Sequence, residues 1–407
     1  MPYTGPEPAR RPLSSDDITD GIVSTADLAD SAVTTAKITN NAVTAAKVSA
    51  DVAQLGKNLL INGSCSVAQR GSVSGIGGSQ TYTACDRFKL FFGTGGEQGR
   101  VTTTQDTDVP SGGGFSSSLK IDCTTAESAV ASGELFALSQ DIEAQNLQHL
   151  LYGNAAAKTL ALSFWFKSPK SGTHCVALRQ PDGSRSYVRE FTVASADTWE
   201  KHTVTFAGDA SGTINNDTGS GLSVVWPLVA GSDFQVTADQ WAAGSDYATS
   251  NQQNLLDNTA NNIYITGVQL EVGSVVTDFE DEDISITQFK CDRYYQRYDF
   301  PTSNKHIGLG WCNAVRESKW IKWLRAPMRP DNNKIISVSA VGHFSHYDWD
   351  GSTGGIGLND TVAIQDQHAQ QVTVLFRHSG GGSYTVGEGM EQRTTTNNAW
   401  MAFEDEL

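Results

Sequence analysis

The chain has 407 residues, 45 Asp and Glu against 29 Lys and Arg, and a formal net charge of −16, which excludes a generally basic nucleic-acid binder, and no local basic patch offsets it. Sixteen Phe, eleven Tyr and nine Trp can build cores for two or three domains, while 39 Gly imply many turns, so the expectation is a mainly β protein. Six scattered cysteines (Cys65, Cys85, Cys123, Cys175, Cys291, Cys312) without a CxxC pair predict free thiols, and with eight scattered His they give no zinc-ligand spacing; no metal or cofactor is expected.

The start, MPYTGPEPARRPLSS, has no apolar core of the kind a signal peptide carries, and no later window is apolar enough for a membrane span. Proline at 2, 6, 8 and 12 predicts an extended peptide over residues 1–17, with no core of its own. A ten-residue repeat follows: ITDGIVSTAD (18–27), LADSAVTTAK (28–37), ITNNAVTAAK (38–47) and a decayed VSADVAQLGK (48–57). Its bulky aliphatics, Ile18, Val23, Leu28, Val33, Ile38, Val43 and Val48, recur every five residues. Neither a helical stripe nor a strand face has that period. One copy buries too little apolar surface to offset its chain entropy, so residues 18–56 are expected to be the stalk of an intertwined homotrimer.

From residue 57 the texture becomes strands punctuated by turns. KTLALSFWFKS (158–168) alternates, with Leu162, Phe164 and Phe166 on one face and Ser163, Trp165 and Lys167 on the other. HCVALRQPDGSRSYVREFTV (174–193) reads as a hairpin around a PDGS turn. WEKHTVTFAG, LSVVWPLV and NIYITGVQLEVG add strands; in the last, Tyr264, Thr266, Val268, Leu270 and Val272 are expected on one face, with Gln269 and Glu271 opposite. Residues 57–283 therefore read as a β-sandwich, most simply a jelly roll. A short helical joint is expected over 284–300, then a smaller C-terminal β domain over 301–407.

The ordered set NLLINGSCSVAQRG (58–71), YTACDRFKL (82–90), SFWFK (163–167), DTWEKHTVTF (197–206) and ITGVQLEVGSVVTDFE (265–280) resembles the jelly-roll domain of tail-fibre and receptor-binding proteins of tailed bacteriophages. ITQFKCDRYYQRY (286–298) is similar to the joint those proteins carry after it, and MPYTGPEPA and MAFEDEL resemble their two ends. The resemblance implies a virion protein made in the bacterial host cytoplasm, anchored to a tail or adaptor protein through residues 1–17, whose distal part meets a host-surface glycan or receptor. That jelly roll is in turn similar to carbohydrate-binding modules, which often hold a calcium against an Asp-Asp pair. The comparable positions here are Thr266 and Gly267, so the calcium is not carried over; Glu271 and Asp278 read as solvated acids at a strand end.

Two surfaces are candidates for receptor or glycan contact. HFSHYDWDGSTGGIG (343–357) gathers His343, His346, Tyr347, Asp348, Trp349 and Asp350 in a segment whose glycines favour a loop, an aromatic and hydrogen-bonding kit suited to sugars; the competing reading folds those rings into the domain. Trp165 points away from the core side of its strand, toward a sugar groove or an intersubunit contact. Trp226 shares parity with Leu222 and Val224 and belongs in the core, whereas Tyr187 and Arg189 read as a solvated strand face. For catalysis the chain offers no GxSxG elbow and no P-loop, and its densest acids, Asp278 to Asp283, read as a solvated linker. The expected function is a non-enzymatic fibre adhesin; a polysaccharide-degrading tailspike and a purely structural head or collar fibre are the alternatives.

Overall fold

The computed structural model describes residues 58–93, 98–303, 306–314, 317–330, 334–348, 361–368, 370–377 and 389–407, together with the single residue Asp27. The repeat column Ile18, Val23, Leu28, Val33, Ile38, Val43 and Val48, and the peptide 1–17, lie outside the described residues.

Alternation in the sequence becomes thirteen strands in the sandwich: β1 Val73–Ile76, β2 Thr81–Tyr82, β3 Lys89–Phe92, β4 Arg100–Asp106, β5 Ser118–Thr125, β6 Leu135–Glu143, β7 Leu160–Lys167, β8 Gly172–Gln180, β9 Arg185–Val193, β10 Glu200–Phe206, β11 Ser220–Ala230, β12 Trp241–Ala243 and β13 Asn262–Val272. They form two sheets, β1-β4-β5-β13-β7-β10 and β12-β9-β8-β11-β6-β3-β2, and every pairing between the strands is antiparallel. The core between them is built from the inward parity of each strand: Leu160, Leu162, Phe164 and Phe166 of β7 meet Leu222, Val224 and Trp226 of β11. Trp226 is thus a core residue, edge-on to Phe164 at 5.6 Å. The β8–β9 hairpin closes on Pro181–Ser184, where Ser184 N–H donates to the Pro181 carbonyl at 3.0 Å.

Two expectations about strand faces fail here. Tyr187 is buried, packed edge-on against Phe206 and Trp241, and Arg189, on the same side of β9, is half-buried and paired with Asp239 at 2.7 Å. In β13, Ile263 and Ile265 enter the core, followed by Val268 and Leu270, so Tyr264 and Thr266 do not share their face. The cause is a bulge: Thr266 pairs with Trp165 and Gln269 with Ser163, three residues of β13 against two of β7. One inserted residue exchanges the two faces beyond it.

After the sandwich, helix α1 (Ile284–Asp292) opens on Asp283, whose side chain accepts from Ser285 N–H at 2.8 Å. The helix ends sooner than the 284–300 expected of the joint, because Tyr295–Phe300 is strand β14, pairing residue by residue with the last strand of the chain. Beyond it come β15 His306–Ala314, β16 Glu317–Trp323, β17 Ile335–Val338, β18 Phe344–Asp348, β19 Thr361–Gln367, β20 Gln371–Arg377, β21 Gly389–Thr394 and β22 Ala399–Glu404. They make a three-stranded sheet, β14-β22-β17, and a six-stranded one, β18-β21-β15-β16-β20-β19, around Trp320, Phe344, Phe376 and Phe403. The described residues are therefore mainly β. All six cysteines are buried, and none of them forms a disulfide. Among the described residues no helix is long and apolar enough to cross a membrane.

Candidate functional site

Strand β7 sends its odd-numbered side chains away from the core, and Trp165 is the only large aromatic among Ala161, Ser163, Trp165 and Lys167. Its indole is half-buried, and among the described residues the ring N–H has no hydrogen-bond partner. Lys201 of β10 stands beside it as its cross-strand neighbour, and Ser163 follows on the same face. Together with Gly267 in the bulge of β13 they floor a cleft of about 980 Å³, near the upper end for small-ligand sites.

The bulge is what opens the floor. Gly267 has φ +61°, and a Cβ there would come within 2.6 Å of Phe115 and 2.9 Å of Trp165, so only glycine lets both rings stand against the backbone. The adjacent Thr266 hydroxyl donates to the Ser117 carbonyl at 2.8 Å and ties down the loop that carries Phe115. One wall is that loop, Gly112–Ser116; a second is the chain entering the sandwich at Ser64 and Ser66. The third is the segment Asp278–Ile284, whose Phe279 packs edge-on to Phe115 at 5.0 Å.

Several buried polar groups fix the third wall. Gln269 donates to the Asp278 carbonyl at 3.2 Å and accepts from Glu280 N–H at 2.7 Å, and the Glu280 carboxylate accepts from Asn58 N–H at 2.9 Å. Glu271 accepts from Thr277 N–H at 2.9 Å, the Thr277 hydroxyl at 2.8 Å and Gln269 at 3.0 Å. Glu271 is thus a buried staple for the turn after β13, not a solvated acid. Glu282 accepts from Thr287 at 3.0 Å and pairs with Lys290. Asp283, capping α1, is held below the usual carboxylate range by its bonds from Ser285. Asp281 is exposed on the cleft rim. Among the described residues no three His, Cys, Asp or Glu side chains converge as a metal site would require.

The charge run read as a solvated linker is therefore a cleft wall, and the apolar Phe279 inside it was the signal that it packs. The PSGGGF loop gave no such signal. Of the second candidate surface, Phe344–Asp348 forms an edge strand paired with β21 where a loop was expected, and His343 ends a 3-10 turn with Nδ1 2.8 Å from the Ser339 hydroxyl. His346, Tyr347 and Asp348 are in that strand; Trp349 and Asp350 lie outside the described residues. The backbone ladder accounts for the change: Phe344 anchors the strand in the C-terminal core. Trp165 and the 343–350 segment line no common cleft among the described residues.

No protein-family model matches the sequence, and no curated protein matches it. Solved structures similar to it include the enzymatically active domain of tailspike protein 4 of bacteriophage CBA120, 14% identical over 53% of this chain with a TM-score of 0.28; the chain covers 22% of that one. A family 11 carbohydrate-binding module from Clostridium thermocellum, solved with a mixed-linked β-1,3-1,4 tetrasaccharide, is 14% identical over 46% of this chain and 90% of its own, with a TM-score of 0.26. A family 61 module solved with β-1,4-galactotriose is 11% identical over 53% of this chain and 99% of its own, with a TM-score of 0.21.

Proposed function

We propose that this chain is a tail-fibre adhesin of a tailed bacteriophage, a homotrimer joined through residues 18–56, anchored to a tail or adaptor protein through residues 1–17, and that its sandwich binds a host-surface glycan in the Trp165 cleft. The observation that carries the glycan reading is Trp165 itself, a ring held on a rigid strand at the floor of a large cleft with its N–H open. Sugars stack their C–H faces on such rings and exchange hydroxyl hydrogen bonds with the Ser, Lys and Asp side chains around them; Ser163, Lys201 and Asp281 are so placed. The order of motifs along the chain, from 58–71 to 265–280, supports the fibre context. The segment carrying His343, His346, Tyr347, Asp348, Trp349 and Asp350 is a second surface proposed to meet the receptor, tested by adsorption of Tyr347→Ala and Trp349→Ala proteins.

The depolymerase reading gains one observation, since the cleft brings carboxylates to an aromatic floor. Hydrolysis needs an acid and a base or nucleophile about 5–10 Å apart. Here Glu282 is tied to Lys290 and Asp283 to the helix it caps. Incubation of the full-length protein with a polysaccharide it captures distinguishes the two. Retention without new reducing ends is the adhesin result; chain shortening overturns it in favour of the enzyme.

A further inference from the structure

Four apolar side chains line the Trp165 cleft, and they come from three separate segments: Trp165 from β7, Phe115 from the glycine-rich loop, Phe279 and Ile284 from the third wall. None of them belongs to the hydrophobic cores of the protein. The Trp165 and Phe115 rings flank Gly267, and Phe279 packs edge-on to Phe115 at 5.0 Å, so the rings run from the floor onto the wall. All three rings are half-buried, and Ile284, the first residue of α1, is 54% exposed. Their positions are fixed by the backbone. Gln269 bonds residues 278 and 280 on either side of Phe279, and the Asp283 carboxylate caps α1 immediately before Ile284.

We infer that the cleft selects glycans that carry methyl groups, as 6-deoxy sugars and acetyl substituents do, and that Phe279 and Ile284 are the residues that read the methyl. This rests on the glycan reading of the Trp165 cleft. A ring stacked on the indole places its substituents toward these neighbours. A hydroxyl pressed against a phenyl ring and an isoleucine loses its water and gains no partner there. A methyl group loses nothing, and each methyl or methylene covered raises affinity roughly fourfold. The hydroxyls of Ser116 and Ser163 line the same cleft and serve the hydroxyls of the sugar ring.

The test is an array of matched oligosaccharide pairs, 6-deoxyhexose against the parent hexose and O-acetylated against unacetylated chains. It is probed with the full-length protein and with Trp165→Ala, Phe279→Ala and Ile284→Ala. Trp165-dependent binding is expected to favour the methyl-bearing member of a pair by about fourfold or more, and each wall variant to narrow that difference by weakening the methyl-bearing member. Phe279→Ala also removes a contact of Phe115, whereas Ile284 stands half in water, so Ile284→Ala is the variant that decides. Trp165-dependent binding with equal affinity for both members, or a preference undiminished in Ile284→Ala, overturns the methyl inference and leaves the cleft reading standing. Binding that survives Trp165→Ala unchanged, or no binding at all, overturns the cleft reading and the inference with it.

Discussion

At Gly267 the backbone stands at φ +61° with Phe115 and Trp165 both inside the space a Cβ would need. Gly267→Ala is therefore expected to cost about 1–3 kcal/mol and to push the indole from its seat. Denaturant unfolding reads the first, and the emission spectrum of the folded protein reads the second. An unshifted midpoint would show that the bulge relaxes freely. This residue also marks where reasoning from pattern stops. Alternation placed Trp165 on the solvent side of β7 because a strand has a strict period of two, and that held. The same rule applied to NIYITGVQLEV misassigned Tyr264 and Thr266, since a bulge inserts a residue without altering the run of apolar and polar types. A glycine inside a strand was the available clue.

Between β7, β8, β9 and β10 lies a cluster of Phe164, Phe166, Phe191, His174 and His202, with the His174 ring stacked on Phe191 at 5.7 Å. Burial holds both imidazoles below the ordinary histidine range; a bond to the Lys170 carbonyl opposes this at His174, and Glu200, the nearest acid, opposes it at His202. Each is neutral when folded and takes up a proton when the chain unfolds below about pH 6.5. The unfolded state then binds more protons, so stability is full above that pH and falls as the pH drops toward the depressed folded values. Asp86 works in the opposite sense: burial lifts it to about 7, against the Arg70 guanidinium and two bonds from Gln69, so its contribution declines as pH rises. The histidine effect is accordingly read as a difference. His174→Gln should flatten the acid limb of the unfolding midpoint between pH 7.5 and 5.5 relative to the unaltered protein, and parallel profiles would contradict it. At this scale the strands of the sandwich were legible in the sequence. The end of α1 was not, because YYQRYDF becomes a strand only by pairing with β22, about a hundred residues away.

The sandwich and the C-terminal sheets are locked by the last residues of the chain. Glu406 lies between Arg70, at 3.0 Å, and Arg87, which stacks on Tyr294 at 3.4 Å. Asp405 meets Lys334 at 3.2 Å, and the Leu407 carbonyl accepts from Lys89 at 2.9 Å and from Tyr82. Glu406→Ala leaves two buried guanidiniums without their shared carboxylate, so a loss of about 3–5 kcal/mol is expected in denaturant unfolding. A loss under about 1 kcal/mol would mean that water replaces the contact without cost. The acids of MAFEDEL carried no such message in sequence, because the partners of Glu406, Arg70 and Arg87, lie more than three hundred residues earlier. The homotrimer proposed to form through residues 18–56 is tested by light scattering on the full chain, which should give about 131 kDa, three chains of 43.6 kDa; a stable monomer would contradict the stalk. The glycan platform proposed for the sandwich is Trp165. Isothermal titration of a glycan that the full-length protein captures, into the unaltered protein and into Trp165→Ala, measures that role. The prediction is a roughly thirtyfold loss of affinity, about 2 kcal/mol, with little change in melting temperature. Equal affinity in the two proteins would contradict it.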